Sequence, residues 1–409
     1  MIIVFLKNKL ISCDTIVPLL HEIQQRRKHK VYFIVPTVQT EDYIKKNIVL
    51  YDLMSSMGRI SSINKGNILT KFIFLIKLFY ISSSCFLKKG HVFYFGKIGG
   101  IIGKIMRINE RRMFMTESDN FGFSDLSRRA ETAGGLMRHS ANDKQEDFYG
   151  KNLLMFSEHF KINDYNIKNK DVFYFGNTRN RESWTNYIEK ESHKYLNSFF
   201  SQENLTPTLS IVYIMSYFGY IPVIDTKDTM LHLFKDTLKI LVQEANGVPI
   251  LIKPHMITDL EIVKKEILKY PEAKIILTDL HPAVLSVTAM FFIGNHYSTV
   301  FGDAITWNVP TIEFTSYKSA VLKETNQGSV RPEFVTHFIN NNPTMLKEIV
   351  SSLVSSSKAK KNNVLISQNK LNLKTQQLQK SLVEQTCASS LNFKTHLQWI
   401  SPASLSVNK

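Results

Sequence analysis

Short apolar runs separated by segments of helical length recur along the chain. The pattern is most regular between Val248 and Phe314, where Val248 to Ile252, Lys274 to Leu277, Met290 to Ile293 and Thr311 to Phe314 read as strands. The first three runs end in polar turns: Lys253-Pro254-His255, Thr278-Asp279 and Gly294-Asn295-His296-Tyr297-Ser298-Thr299. Strands alternating with helices predict a parallel sheet with crossover connections. Ligands of such sheets sit beyond the carboxyl ends of the strands, so these turns are where chemistry is expected.

The first half repeats the alternation. Met1 to Leu6 is a strand, Ile16 to Gln25 carries Ile16, Leu19, Leu20 and Ile23 on one helical stripe, and Val31 to Val35 is a strand stopped by Pro36. Residues 40–90 read as mostly helical. His91 to Phe95, Met113 to Met115, Asn152 to Phe156 and Val172 to Phe175 are further strands. Ser127 to Phe148 is polar, contains Gly134-Gly135 and reads as a loop that offers Arg128, Arg129, Arg138 and His139 to an anion. Asn180 to Glu203 is a polar helical connector, and Thr206-Pro207-Thr208 resets the chain. Ser210 to Met215 is a strand, Thr229 to Ala245 an amphipathic helix and Pro343 to Leu353 a helix. The expected fold class is α/β, with two Rossmann-like domains facing across a cleft. Their expected bounds are 1–179 and 209–354, joined by a connector at 180–208. A basic polar tail at 355–409 carries a closing helix at Leu391 to Ile400.

At 409 residues the chain exceeds one ordinary core, and 44% hydrophobic residues exclude a disordered polymer. Charge changes the picture more. Lys and Arg total 51 against 35 Asp and Glu, a net +16, which suits an anionic partner such as nucleic acid, an acidic membrane face, a nucleotide-activated substrate or an acidic glycan. No recognised nucleic-acid module is present, and the aromatics look core-directed, so nucleic acid is not expected. Cys13, Cys85 and Cys387 are too scattered for a disulfide framework or metal spacing, which reads as a reducing cytoplasm. Ile2 to Leu6 has no charged region before it and no cleavage site after it, and reads as a first strand. Phe72 to Leu87 is strongly apolar but is interrupted by Lys77 and closed by Lys88-Lys89. Its unbroken runs fall short of the roughly 20 residues needed to span. It reads as a core helix or a membrane-surface contact.

The strand ends of the second half supply the candidate site. Lys253 and His255 can neutralise charge developing on a leaving nucleotide phosphate. Ser298 and Thr299 precede a helix that they can cap, and its free N–H groups favour an anion. Asp303 lies one turn into that helix, where it can hold a ribose hydroxyl. Gly219, in the turn after the Ser210 to Met215 strand, completes the donor-binding set. In the first half, Glu117 and Asp119 follow the Met113 to Met115 strand, and each can raise the other's pKa toward that of a general base. Glu158, after the next strand, is a reserve base. The turn Gly96-Lys97-Ile98-Gly99-Gly100 is either a plain tight turn or a close approach to a phosphate or acceptor. No Asp-x-Asp motif is evident, so neither a metal nor an organic cofactor is expected.

Lys253-Pro254-His255, Ser298-Thr299, Asp303 and the run Trp307-Asn308-Val309-Pro310-Thr311-Ile312 resemble the nucleotide-binding half of GT-B glycosyltransferases. The resemblance covers roughly Ser210 to Tyr317. It is nearest to bacterial enzymes of surface-polysaccharide synthesis, the sialyltransferase, polysialyltransferase and Kdo-transferase types and the CDP-glycerol glycerophosphotransferases. The chain departs from their pattern at Met256, where proline is usual, and at Asn308, where glycine is common. His281-Pro282 is a second His-Pro-like element, so either His255 or His281 can meet the phosphate. Glu117 and Asp119 resemble the acidic pair of the sialyltransferase group loosely, since that pair is adjacent. The resemblance implies transfer of a sugar from a nucleotide donor, CMP-linked for sialic acid or Kdo, to a capsule, lipopolysaccharide or O-antigen acceptor. The basic surface and the Phe72 to Lys89 segment suit peripheral attachment of a cytoplasmic enzyme to an anionic inner membrane. Nucleotide-sugar 2-epimerases share the architecture and remain an alternative, as does a non-catalytic basic binding protein.

Overall fold

A computed structural model describes residues 1–6, 10–62, 68–96, 98, 100–116, 125–135, 147–155, 165–225 and 229–364. Among them the strands are β1 (Ile2–Phe5), β2 (Val31–Val35), β3 (Gly58–Ser62), β4 (His91–Phe95), β5 (Met113–Thr116), β6 (Asn152–Met155), β7 (Asp171–Tyr174), β8 (Ser210–Ile214), β9 (Ile250–Lys253), β10 (Ile275–Leu277), β11 (Ala289–Gly294), β12 (Thr311–Thr315) and β13 (His337–Asn340). The helices are α1 (Leu10–Arg26), α2 (Val38–Lys46), α3 (Ile48–Met57), α4 (Ile68–Leu87), α5 (Gly100–Met106), α6 (Asp125–Ala133), α7 (Glu182–Gln202), α8 (Thr229–Glu244), α9 (Leu260–Ile267), α10 (Pro282–Ser286), α11 (Phe301–Thr306), α12 (Ser319–Glu324) and α13 (Pro343–Val364).

Both sheets are parallel throughout and doubly wound. The first has the order β3-β2-β1-β4-β5-β6-β7, the second β10-β9-β8-β11-β12-β13. In each, the chain builds one half outward from the first strand, then returns to that strand's other side. Central strands are apolar along their whole length, as strands covered by helices on both faces must be. Residues Ile2 to Phe5, Val92 to Phe95 and Ile211 to Ile214 are all buried. Edge strands β3 and β13 lack that signature. The two that periodicity did not predict, β3 (Gly-Arg-Ile-Ser-Ser) and β13 (His-Phe-Ile-Asn), each pair on one side only. Half-exposed and polar, they read as loop in a pattern search.

Among the described residues the chain forms two units, one from residues within 1–122 and 141–187, the other from residues within 123–140 and 188–386. The expected first domain of 1–179 therefore cedes α6 to the second unit, and the expected loop from Ser127 is helical to Ala133. Buried Ser127 and Ala130 lie on α6, which packs beside α12, and Ser127 Oγ donates to the Val330 carbonyl at 2.9 Å. Its residues are too small and polar to announce a helix, and docking makes them one. Arg138 and His139 lie outside the described residues. The division of the chain falls within α7, inside the expected connector. Helix α13 continues to Val364, past the expected end at Leu353, and the tail beyond it lies outside the described residues.

Candidate functional site

In the second sheet the winding reverses between β8 and β11. The connections leaving these two strands go to opposite sides, which opens a crevice beyond their carboxyl ends. Its floor is fixed by Asn295, the first residue after β11. Buried Asn295 donates through Nδ2 to Thr237 Oγ1 (2.8 Å) and to the Phe314 carbonyl (3.1 Å), and accepts from the Tyr213 hydroxyl. One amide thus joins β8, α8, β11 and β12. Gly294 permits the approach, since a Cβ there would lie 3.1 Å from both the Ile214 carbonyl oxygen and the Phe301 ring.

The turn after β8 forms one wall. The Tyr217 hydroxyl donates to the Tyr220 carbonyl at 2.5 Å, folding its ring across Gly219. A Cβ on Gly219 would stand 2.2 Å from that ring, so the turn requires glycine for space. The Tyr217 ring lies 5.8 Å from the His255 ring at the end of β9. His255 is exposed, and its Nδ1 accepts from the Ile257 N–H at 3.4 Å. Lys253 Nζ donates to the Asp279 carbonyl at 3.2 Å and ties the β9 end to the turn after β10. Lys253, His255 and the Gly219 turn are therefore brought together.

The two candidate histidines differ in exposure. His281 is 0% exposed, and its Nδ1 accepts from the Ala283 N–H at 3.1 Å as the N-cap of α10. His255 is the one presented to solvent. Ser298 Oγ accepts from the Val300 N–H at 3.2 Å, an N-cap bond at the turn that leads into α11. Helix α11 is only six residues long, too short for a strong terminal dipole. Asp303 is 2% exposed, on a helix that packs beside α10, β11 and β12.

The structure adds residues that spacing alone did not single out. The Nε2 of His296 is enclosed and has no hydrogen-bond partner among the described residues, and burial pushes the imidazole down to about 3, so it is neutral. An enclosed ring nitrogen of this kind is an unmet polar group at the crevice. Its ring centroid lies 4.0 Å from that of Tyr297, the two planes tilted by 39°. The Tyr297 hydroxyl donates to Glu131 of α6 at 2.5 Å, and the Arg331 guanidinium lies 5.9 Å from the Tyr297 ring centroid. Behind them Glu313 is 0% exposed and accepts from the Tyr317 hydroxyl, from Ser329 Oγ (2.5 Å) and from the Tyr297 backbone N–H. Burial raises its carboxyl to about 7. The signal for His296 and Tyr297 was their place directly after a strand. Nothing in the sequence pairs Glu131 with Tyr297, 166 positions away.

In the first unit β5 ends at Thr116, whose carbonyl accepts from the Gly96 N–H at 3.1 Å. Glu117 and Asp119 follow it, and they and Glu158 lie outside the described residues, as do Lys97 and Gly99 of the glycine-rich turn. Among the described residues no group of three His, Cys, Asp or Glu side chains is arranged to hold a metal.

No family model matches the chain, and no curated protein matches it. Solved structures similar to it include UDP-GlcNAc 2-epimerase from Methanocaldococcus jannaschii, with a TM-score of 0.47 and 14% identity over 87% of this chain and 91% of that one. A ugt transferase from Siraitia grosvenorii in complex with UDP is similar with a TM-score of 0.43 and 8% identity, over 95% of this chain and 99% of that one. The glycosyl transferase family 9 protein from Veillonella parvula has a TM-score of 0.40 and 11% identity, over 87% and 97%.

Proposed function

We propose that this chain is a GT-B glycosyltransferase that moves a sugar from a nucleotide-activated donor to an acceptor hydroxyl, with the donor's nucleotide held by the second unit. The observation that carries the reading is the meeting of Lys253, exposed His255 and the Tyr217–Gly219 turn at the switch point of a doubly wound parallel sheet. Aromatic rings beside a basic rim suit a planar base and its phosphate. In the reaction the acceptor oxygen bonds to the anomeric carbon, and the bond from that carbon to the phosphate oxygen breaks. The electron pair leaves with the nucleotide, whose charge Lys253 and His255 offset. The acceptor proton passes to Glu117 or Asp119. In this reading the protein's own cations, rather than a resident cofactor or metal, serve the leaving group. The net charge of +16 favours an acidic bacterial surface glycan as acceptor and a CMP-linked sugar as one donor to test.

The test is transfer and donor hydrolysis by purified protein across CMP-, UDP- and CDP-activated donors. His255→Ala should lower turnover by roughly 10²-fold or more with the fold intact. Full activity in that variant removes the phosphate role. Full activity in both Glu117→Gln and Asp119→Asn removes the base assignment. An epimerised sugar formed without acceptor, or transfer of glycerol phosphate, would replace the transferase reading with one of its architectural relatives.

A further inference from the structure

Helix α4 carries two apolar faces. The crossover from β3 to β4 explains only one of them. Leu78, Ser82 and Cys85 are buried against the first sheet, and Asn109 Nδ2 donates to Ser82 Oγ at 2.9 Å, which pins this face down. The opposite face bears Leu69, Ile73, Ile76, Tyr80 and Leu87 at helical spacing, all more than half exposed, with Tyr80 at 73% and Leu87 at 79%. Sheet packing has no use for that second stripe. By length and composition Leu69–Leu87 would also pass for a membrane span. Its topology argues otherwise: both ends feed strands of one parallel sheet, and the stripe from Leu78 to Cys85 is buried beneath it. A helix so held can meet a bilayer only lying in its plane.

We infer that the outward face of α4 docks the protein on a lipid surface bearing anionic headgroups, with the helix, about 30 Å long, lying in the interface. Charge selects this occupant. The helix contains no acidic residue, and its exposed basic residues are Lys71 and Lys77, with Lys88 and Lys89 just past its end. Beside it, α5 and the turn that follows add exposed Lys104 and Arg107 next to exposed Ile101. A second copy of the same face would bring these cations against each other, whereas anionic lipid neutralises them. Long basic side chains at the rim of an apolar stripe reach headgroups while the stripe enters the acyl boundary.

The test is sedimentation of the full chain with vesicles of phosphatidylglycerol and phosphatidylcholine, against phosphatidylcholine alone. Binding is expected to the anionic vesicles and to weaken with salt. The pair Ile76→Ser and Tyr80→Ser should lower the partition coefficient about ten-fold or more, since both side chains are exposed and the fold does not need them. Lys77→Glu with Lys88→Glu should lower it while leaving the apolar stripe untouched; an unchanged melting temperature shows that each variant is folded. Absence of binding to anionic vesicles overturns the inference. So does equal binding by both variants, or conversion of a dimer to monomers by the serine pair with vesicle binding unchanged. Retention on membranes through an alkaline carbonate wash points to a spanning segment and overturns it too. No donor or acceptor enters the assay, so its outcome and that of the transfer reaction are independent.

Discussion

Glu313 makes the second unit's stability depend on pH in the direction opposite to most carboxylates. Burial raises its pKa from an ordinary 4.5 to about 7, so the native state holds the proton more tightly than the unfolded chain does. Well below pH 4.5 both states are protonated and the side chain is neutral in either. As pH rises from there through about 7, the unfolded chain ionises freely while the native state resists, and stability falls. The difference of about 2.5 units amounts to roughly 3 kcal/mol at most, using about 1.4 kcal/mol per unit. Glu313→Gln keeps a neutral acceptor for Tyr317 and Ser329 and removes the titration. For a unit of this size, roughly 2–4 °C of melting temperature accompanies each kcal/mol. About 2.5 kcal/mol of this falls between pH 5 and pH 8, so the variant's melting temperature minus that of the parent should increase by roughly 5–10 °C over that range. Scanning calorimetry at constant ionic strength measures it. Taking the difference cancels the other titrating groups, which are common to both proteins. Parallel profiles from pH 5 to 8 would show that Glu313 is ionised throughout, and that its three donors outweigh its burial.

Replacing Asn295 by Leu removes the amide that joins β8, α8, β11 and β12 and strands the Tyr213 hydroxyl. Denaturant unfolding should show a loss of roughly 2–4 kcal/mol, and a loss under about 0.5 kcal/mol would mean the network is dispensable. Gly219→Ala pushes the Tyr217 ring off its turn, so nucleotide affinity should fall several-fold with melting unchanged; titration calorimetry with free nucleotides decides it. His281→Ala, in contrast to His255→Ala, should lower melting through loss of the α10 cap by about 1 kcal/mol or more, because His281 is a buried structural residue.

Most of the parallel-sheet architecture was legible in the order of residues, for a physical reason. A strand covered on both faces must be apolar throughout, and β4, β8 and β11 declare themselves that way without knowledge of their neighbours. The turns that carry Lys253, His255 and Ser298 were legible for the same reason, since each follows such a strand. Two of the four edge strands were not, because β3 and β13 bury one side only and their polar residues imitate loop, whereas edge strands β7 and β10 carry enough apolar residues to be read. Helix α6 was illegible because its contacts, to Val330 and Tyr297, come from about 200 residues further on. Exposure, too, belongs to tertiary structure alone. His255 and His281 both sit beside proline, and only packing shows that one caps a helix in the interior while the other faces solvent. Asp303 carries the right charge at the right spacing, and only the packing of α11 shows that it is buried. The sequence by itself determined that α4 is apolar and basic. That its second apolar face is left over after the sheet has taken the first follows only from the fold, because a helix pinned across a parallel crossover has one side that nothing in its own sheet can cover.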